Sequence, residues 1–181
     1  MKPNFREDKA AQAAAMFLKL RGGTMSYLKL MKLLYLAERE AFLRLGRPIM
    51  FDGCVSMDHG PVLSGTLNLI NGAARTSGAW EMAISIPSQH EVSLNVDPGN
   101  DKLSEAEDQI IKEVFDQHGA KSRWELCDFT HTLSEWQNPK GSSIRIDYRE
   151  ILRAGGKTEG EIESIMDDIE GLAMLDKYSH S

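Results

Sequence analysis

Two cysteines in 181 residues, Cys54 and Cys127, are too few for a disulfide framework. No apolar run approaches the roughly 20 residues that cross a bilayer. The N-terminal stretch carries Glu7 and Asp8 and lacks the apolar segment of a secretory signal. The expectation is a cytoplasmic protein with reduced thiols and no membrane partner. The short motifs of phosphate, dinucleotide and hydrolase chemistry are missing as well: no P-loop, no G-x-G-x-x-G, no G-x-S-x-G and no H-E-x-x-H. Gly22-Gly23 and Gly155-Gly156 read as helix boundaries, not phosphate cradles, and no cofactor is expected. Internal repeats, low-complexity tracts and dividing linkers are absent, so residues 1–181 are expected to form one domain, long enough to bury a substantial core.

What is present is ordinary in amount and uneven in place. The apolar fraction is 41% and the charged fraction 27%, as in a soluble globular chain. The net charge of −6 divides sharply. Residues 1–50 hold ten Lys/Arg against four Asp/Glu, while the remainder holds eleven against twenty-three. Residues 159–176 contain seven acids and no base. Such asymmetry fits solvated helix faces or two ends that lie against each other, or else a polar interaction surface at one end. A domain-wide basic balance is missing, so direct nucleic-acid binding is not expected.

Periodicity predicts a mainly α fold with a small antiparallel β-sheet, an α+β arrangement. A helix over 10–20 stops at Gly22-Gly23. Ser26 is placed to cap a second helix over about 27–45, in which Leu30, Leu33, Leu34, Ala37, Ala41 and Leu45 keep helical spacing. Met31, Tyr35, Leu36 and Phe42 widen that stripe almost around the helix, which marks it as the buried central element. Gly46 and Pro48 end it. Segments 51–57, 80–86 and 91–96 are expected as strands of one sheet, the last two as a hairpin. Gly60-Pro61 suits the start of another helix. Ser104-x-x-Glu107, Ser122-x-x-Glu125 and Thr158-x-x-Glu161 have the form of reciprocal capping boxes and open three further helices.

The richest stretch is 28–62. It joins the helix motif Lys32-Leu-Leu-Tyr-Leu-Ala37, the exit Gly46-Arg-Pro-Ile49 and the turn His59-Gly-Pro-Val62. In this order it resembles the Panacea domain, also called the SocA-like antitoxin domain. A second likeness is the Thr130-His131 segment followed by Trp136. The resemblance spans roughly residues 10–136, with 137–181 as a C-terminal helical extension. It implies a binding protein and not an enzyme: an antitoxin that neutralises a co-encoded protein toxin by direct binding, or acts as a proteolytic adaptor that presents it to a cellular protease. It also leaves a phage- or prophage-associated interaction module as an alternative.

Asp58, His59, Gly60 and Pro61 are the first candidates for a partner-binding surface. With a helix starting at Pro61, His59 would lie beside a position suited to an anion. The plainer reading is that His59 fixes the turn, with Asp58 assisting. Trp136, ahead of Asn138-Pro139, is either an interface anchor or a lid over the core. Tyr35 and Arg39 on the central helix complete the candidate set, and a solvated helix face is the alternative for Arg39. Cys127 and His131, at i and i+4, would need Cys54 and His59 to make a metal site or a Cys/His hydrolase. Nothing in the sequence brings those four together.

Overall fold

The computed structural model describes residues 1–73 and 76–179. Its first helix, α1 (Glu7–Arg21), ends where Gly22 turns left-handed at φ 102° and its N–H reaches back to the last turn. Strand β1 (Thr24–Ser26) leads directly into α2 (Tyr27–Leu45). The Ser26 hydroxyl accepts the Lys29 N–H, and Gly46 closes the other end at φ 73°. As the periodicity predicts, α2 is the central element. Leu30, Met31, Leu33, Leu34, Tyr35, Ala37, Ala41 and Phe42 are all buried. Around it lie α1, α5 (Glu105–His118) and α6 (Arg123–His131). The capping boxes at Ser104 and Ser122 form as expected, and Thr158 and Glu161 exchange the same pair of bonds ahead of α8 (Glu159–Ser179).

The strands depart from the expected single sheet. β2 (Cys54–Met57) and β3 (Gly60–Leu63) form an antiparallel hairpin whose loop is Asp58-His59. β5 (Ile144–Ile146) adds to the other edge of β2, so the C-terminal extension completes this sheet. β4 (Glu91–Ser93) pairs with β1 in a second, two-stranded sheet. Of the hairpin expected over 80–96, the antiparallel pairing holds from Ile84 to Leu94: the bridges Ile84–Leu94 and Ser88–Glu91 form, and the Ser85 N–H donates to the Ser93 carbonyl at 2.9 Å. Its start is instead a short helix, α4 (Ala79–Ala83). The reason lies far away in sequence: the Glu7 carboxylate accepts the N–H groups of Ser77 (2.9 Å) and Trp80 (3.0 Å), capping a turn that alternation alone would make a strand.

The helix expected at Pro61 is also corrected. Pro61 lies in β3, an edge strand, where a missing N–H is tolerated. The helix begins three residues later, as α3 (Ser64–Ile70). Asp52 caps it from across the chain, accepting the N–H groups of Gly65 (2.7 Å) and Thr66 (2.9 Å) and the Thr66 hydroxyl (2.7 Å). Last, α7 (Tyr148–Ala154) opens on a capping box of Asp147 and Glu150 and packs against α8.

The charge asymmetry resolves into contacts. Lys9 pairs with Glu107 at 2.8 Å, Lys19 with Asp97 at 3.1 Å, Arg39 with Glu135 at 2.6 Å, and Arg44 with Glu113. Each pair joins the basic first 50 residues to the acidic remainder. No helix among the described residues is long and apolar enough to cross a membrane.

Candidate partner-binding site

The helix motif and the turn motif touch. Lys32 is fully buried, and its Nζ donates to the Pro61 carbonyl at 2.9 Å. Burial pushes its pKa down to about 8, against a smaller upward pull from Cys127. Gly60 allows this approach. At φ 106° it is left-handed, and a Cβ there would stand 2.6 Å from Thr130 Oγ1 and 3.0 Å from Lys32 Nζ. Thr130 is itself buried, its hydroxyl donating to the carbonyls of Leu126 and Cys127.

Above this joint the Asp58-His59 loop is exposed and tied from the side. The Asp58 carbonyl accepts His131 Nε2–H at 2.9 Å, and the Asp58 carboxylate accepts the Gly141 N–H at 3.0 Å. Trp136 is half-buried: its Nε1–H donates to the Met57 carbonyl at 2.9 Å, and its ring lies 4.2 Å from that of His131. Trp136 therefore anchors the segment after α6 onto the hairpin and leaves part of its ring outward. His59 is not at a helix start, so the anion position expected there is absent. Its ring instead meets the edge of Trp124, centroids 5.7 Å apart.

Tyr35 and Arg39 converge on one carboxylate. Glu135 is buried and accepts the Tyr35 hydroxyl at 3.0 Å and Arg39 Nε at 2.6 Å. Tyr35 is itself buried, and burial raises its pKa well above the ordinary value, reinforced by the nearby carboxylate. Arg39 alone of the two keeps some exposure, and its partner Glu135 lines a surface cavity of about 310 Å³ with Gln137 and Arg153. Next to Arg39 on α2, Glu38 accepts the N–H groups of Met50 (2.8 Å) and Asp52 (3.3 Å), fastening the chain just past the Gly-Arg-Pro-Ile exit. Burial raises its pKa to about 7; these N–H groups oppose the shift and the Asp52 carboxylate adds to it.

The helix and turn motifs of the 28–62 stretch thus meet at Lys32 and Pro61, and Glu38 ties the same helix to the chain just past the third motif. The profile of the family described as antitoxin SocA-like, Panacea domain, matches residues 30–137. This chain belongs to that family. No curated protein and no solved structure matches it. The matched region of the Panacea domain runs from α2 to the segment just after Trp136, and it contains every candidate residue named from the sequence. β5, α7 and α8 lie beyond it, although β5 is hydrogen-bonded to a strand within it.

The histidines of the two Cys/His pairs make other contacts, His59 with Trp124 and His131 with the Asp58 carbonyl. Cys54 is buried in β2, where burial and the neighbouring carboxylates of Glu38 and Asp52 hold its thiol pKa well above the ordinary value. Cys127 is buried in α6 and also shifted up by burial. Among the described residues, no three His, Cys, Asp or Glu side chains gather to hold a metal ion. Sequence reasoning missed Trp124. It is 52% exposed, lies 5.1 Å from the Arg123 guanidinium and shares a surface pocket with Tyr27, His59 and His90. A signal was present: Trp124 falls inside the Ser122 capping box, out of step with the Leu126 and Thr130 face, where a large aromatic has no core to enter.

Proposed function

We infer that this chain is the antitoxin of a toxin–antitoxin pair. It binds a co-encoded protein toxin directly, and the contact surface is built around Asp58, His59 and Trp136. The observation that carries this reading is membership of the SocA-like antitoxin family across residues 30–137. Gly60 and Pro61 set the shape of the surface from beneath, while Tyr35 orients Arg39 through Glu135. Buried braces of this kind hold surface groups in one geometry, which limits the ordering cost of binding. The acidic helix α8 is a second contact. Its carboxylates favour a basic patch on the toxin and speed encounter.

The test is co-purification of this chain with the product of the adjacent open reading frame. Alanine at Asp58, His59 or Trp136 weakens the complex while the variant keeps the native circular dichroism and melting temperature. Unchanged binding in all three folded variants removes the surface. Toxin half-life separates the two modes of neutralisation. A toxin that disappears faster when the antitoxin is present is being handed to a cellular protease, and a toxin of constant abundance is being blocked sterically.

A further inference from the structure

A second feature of this surface points to the chemistry of what it holds. Tyr27, His59, His90, Arg123 and Trp124 surround a pocket of about 300 Å³, contributed by the start of α2, the β2–β3 loop, the turn before β4 and the first turn of α6. Two ring contacts build it: His59 against the edge of Trp124, and Tyr27 against His90 at 6.2 Å. Trp124 is half exposed although an Arg side chain lies over one face. Among the described residues, no side chain lining the pocket is acidic, on a chain whose net charge is −6. Of the acids that adjoin lining residues in the chain, Glu91 follows His90 at the exposed start of β4, and two others turn elsewhere. Glu125 folds back to accept the Ser122 N–H, and Asp58 accepts the Gly141 N–H.

The turn that delivers His90 is fixed in an uncommon form. Ser88 and Glu91 exchange both backbone hydrogen bonds at 2.9 Å around Gln89 (φ 50°) and His90 (φ 65°), two consecutive non-glycine residues in the left-handed region. The His90 carbonyl accepts the Tyr27 N–H at 3.0 Å, which locks this turn to the start of α2. The wall formed by Tyr27 and His90 is therefore set before any partner arrives.

We propose that this pocket receives an acidic side chain of the partner protein together with a neighbouring aromatic side chain. Arg123 and the ring N–H groups of His59 and His90 face the carboxylate, and Trp124 and Tyr27 cover the aromatic ring. A pocket lined by aromatic rings and one arginine, with no acid among them, is complementary in charge to such a segment. Aromatic and Arg side chains are also the types that dominate binding at interfaces. With α8 taking a basic patch, the two contacts carry opposite signs and set the partner's orientation. The partner's identity as a toxin and the α8 contact rest on the antitoxin reading above; the pocket does not.

The first probe is the peptide N-acetyl-aspartyl-phenylalanine amide, titrated into the full chain to low-millimolar concentration and followed by the indole N–H resonances. The resonance of Trp124 shifts, while those of Trp80 and Trp136, one buried and one bonded to Met57, stay in place. The asparaginyl analogue binds about tenfold more weakly, the factor expected for one hydrogen bond to a charged group. Arg123→Gln reduces binding by a similar factor, and Ile86→Ala, at an exposed site elsewhere, changes nothing. Equal binding of both peptides, or no shift at Trp124, overturns the proposal. So does adenosine monophosphate displacing the peptide with higher affinity, because the pocket would then be a nucleotide site. Peptide binding beside a harmless neighbouring gene would keep the pocket and remove the antitoxin. Toxin neutralisation that survives Trp124→Ala and Arg123→Gln at full strength would keep the antitoxin and remove the pocket.

Discussion

Lys32 Nζ donates to the carbonyl of Pro61 at 2.9 Å across a glycine, so the family's helix motif and its turn motif are two sides of one buried contact. This contact explains why a charged residue stands in an otherwise apolar helix face. The lysine reaches through the core to a carbonyl that an edge strand leaves unpaired, and a buried carbonyl without a donor is costly.

Lys32 makes stability depend on pH in a stated direction. Its pKa falls from 10.5 in the unfolded chain to about 8 when folded. Between those values the unfolded chain holds more protons, so the contribution of this residue to stability rises as pH rises and its penalty is full below pH 8. The difference in unfolding free energy between the wild type and Lys32→Met should move toward the wild type by about 3 kcal/mol from pH 7.5 to 10.5. Urea unfolding of both proteins across that range measures it, and parallel curves would contradict the assignment.

Glu38 acts in the opposite sense. Its pKa rises from 4.5 to about 7 on folding, so the folded chain holds more protons between those values and stability falls as pH rises through them. Relative to Glu38→Gln, the wild type should lose about 3 kcal/mol between pH 4.5 and 7.5. Thermal unfolding of the pair in matched buffers reads this difference.

Gly60→Ala tests the close approach at the joint. The new methyl group meets Thr130 Oγ1 at 2.6 Å in a backbone conformation that L-residues rarely adopt. The cost is about 3 kcal/mol from strain and overpacking together. Gly72→Ala is the comparison, since its φ is also positive but nothing lies within 4 Å of the added carbon. It should cost only about 1 kcal/mol. Equal losses in the two variants would show that the joint at Gly60 is looser than described.

Both thiols should resist labelling in the native protein at neutral pH. Cys54 and Cys127 are buried and their pKa values are raised, so little thiolate is present or reachable. Ellman's reagent should react only as the protein unfolds in urea. Fast reaction of either cysteine in the folded state would revive the hydrolase alternative.

The parts of the fold that sequence reading found are those whose stabilising groups lie close together in the chain. Ser26 capping α2, Gly46 ending it, and the boxes at Ser104, Ser122 and Thr158 are all decided within four residues. The misread parts are held from a distance. α4 depends on Glu7, 73 residues before Trp80, and α3 depends on Asp52, 14 residues before Thr66. β1 finds β4 and not a local partner, pairing Thr24 with Ser93. The candidate surface divides in the same way. Asp58, His59 and Trp136 are legible through motif order. Glu135, which joins Tyr35 to Arg39, and the pocket around Trp124 arise only when separated segments come together.

The central claim is neutralisation of a toxin, and growth measures it most directly. The adjacent open reading frame is induced in a host with and without this chain supplied from a second promoter. The account predicts arrest by the neighbour alone, recovery when the chain is present, and loss of recovery when Asp58, His59 and Trp136 are replaced together in a variant that still folds. A harmless neighbour, or arrest that the chain does not relieve, would contradict it.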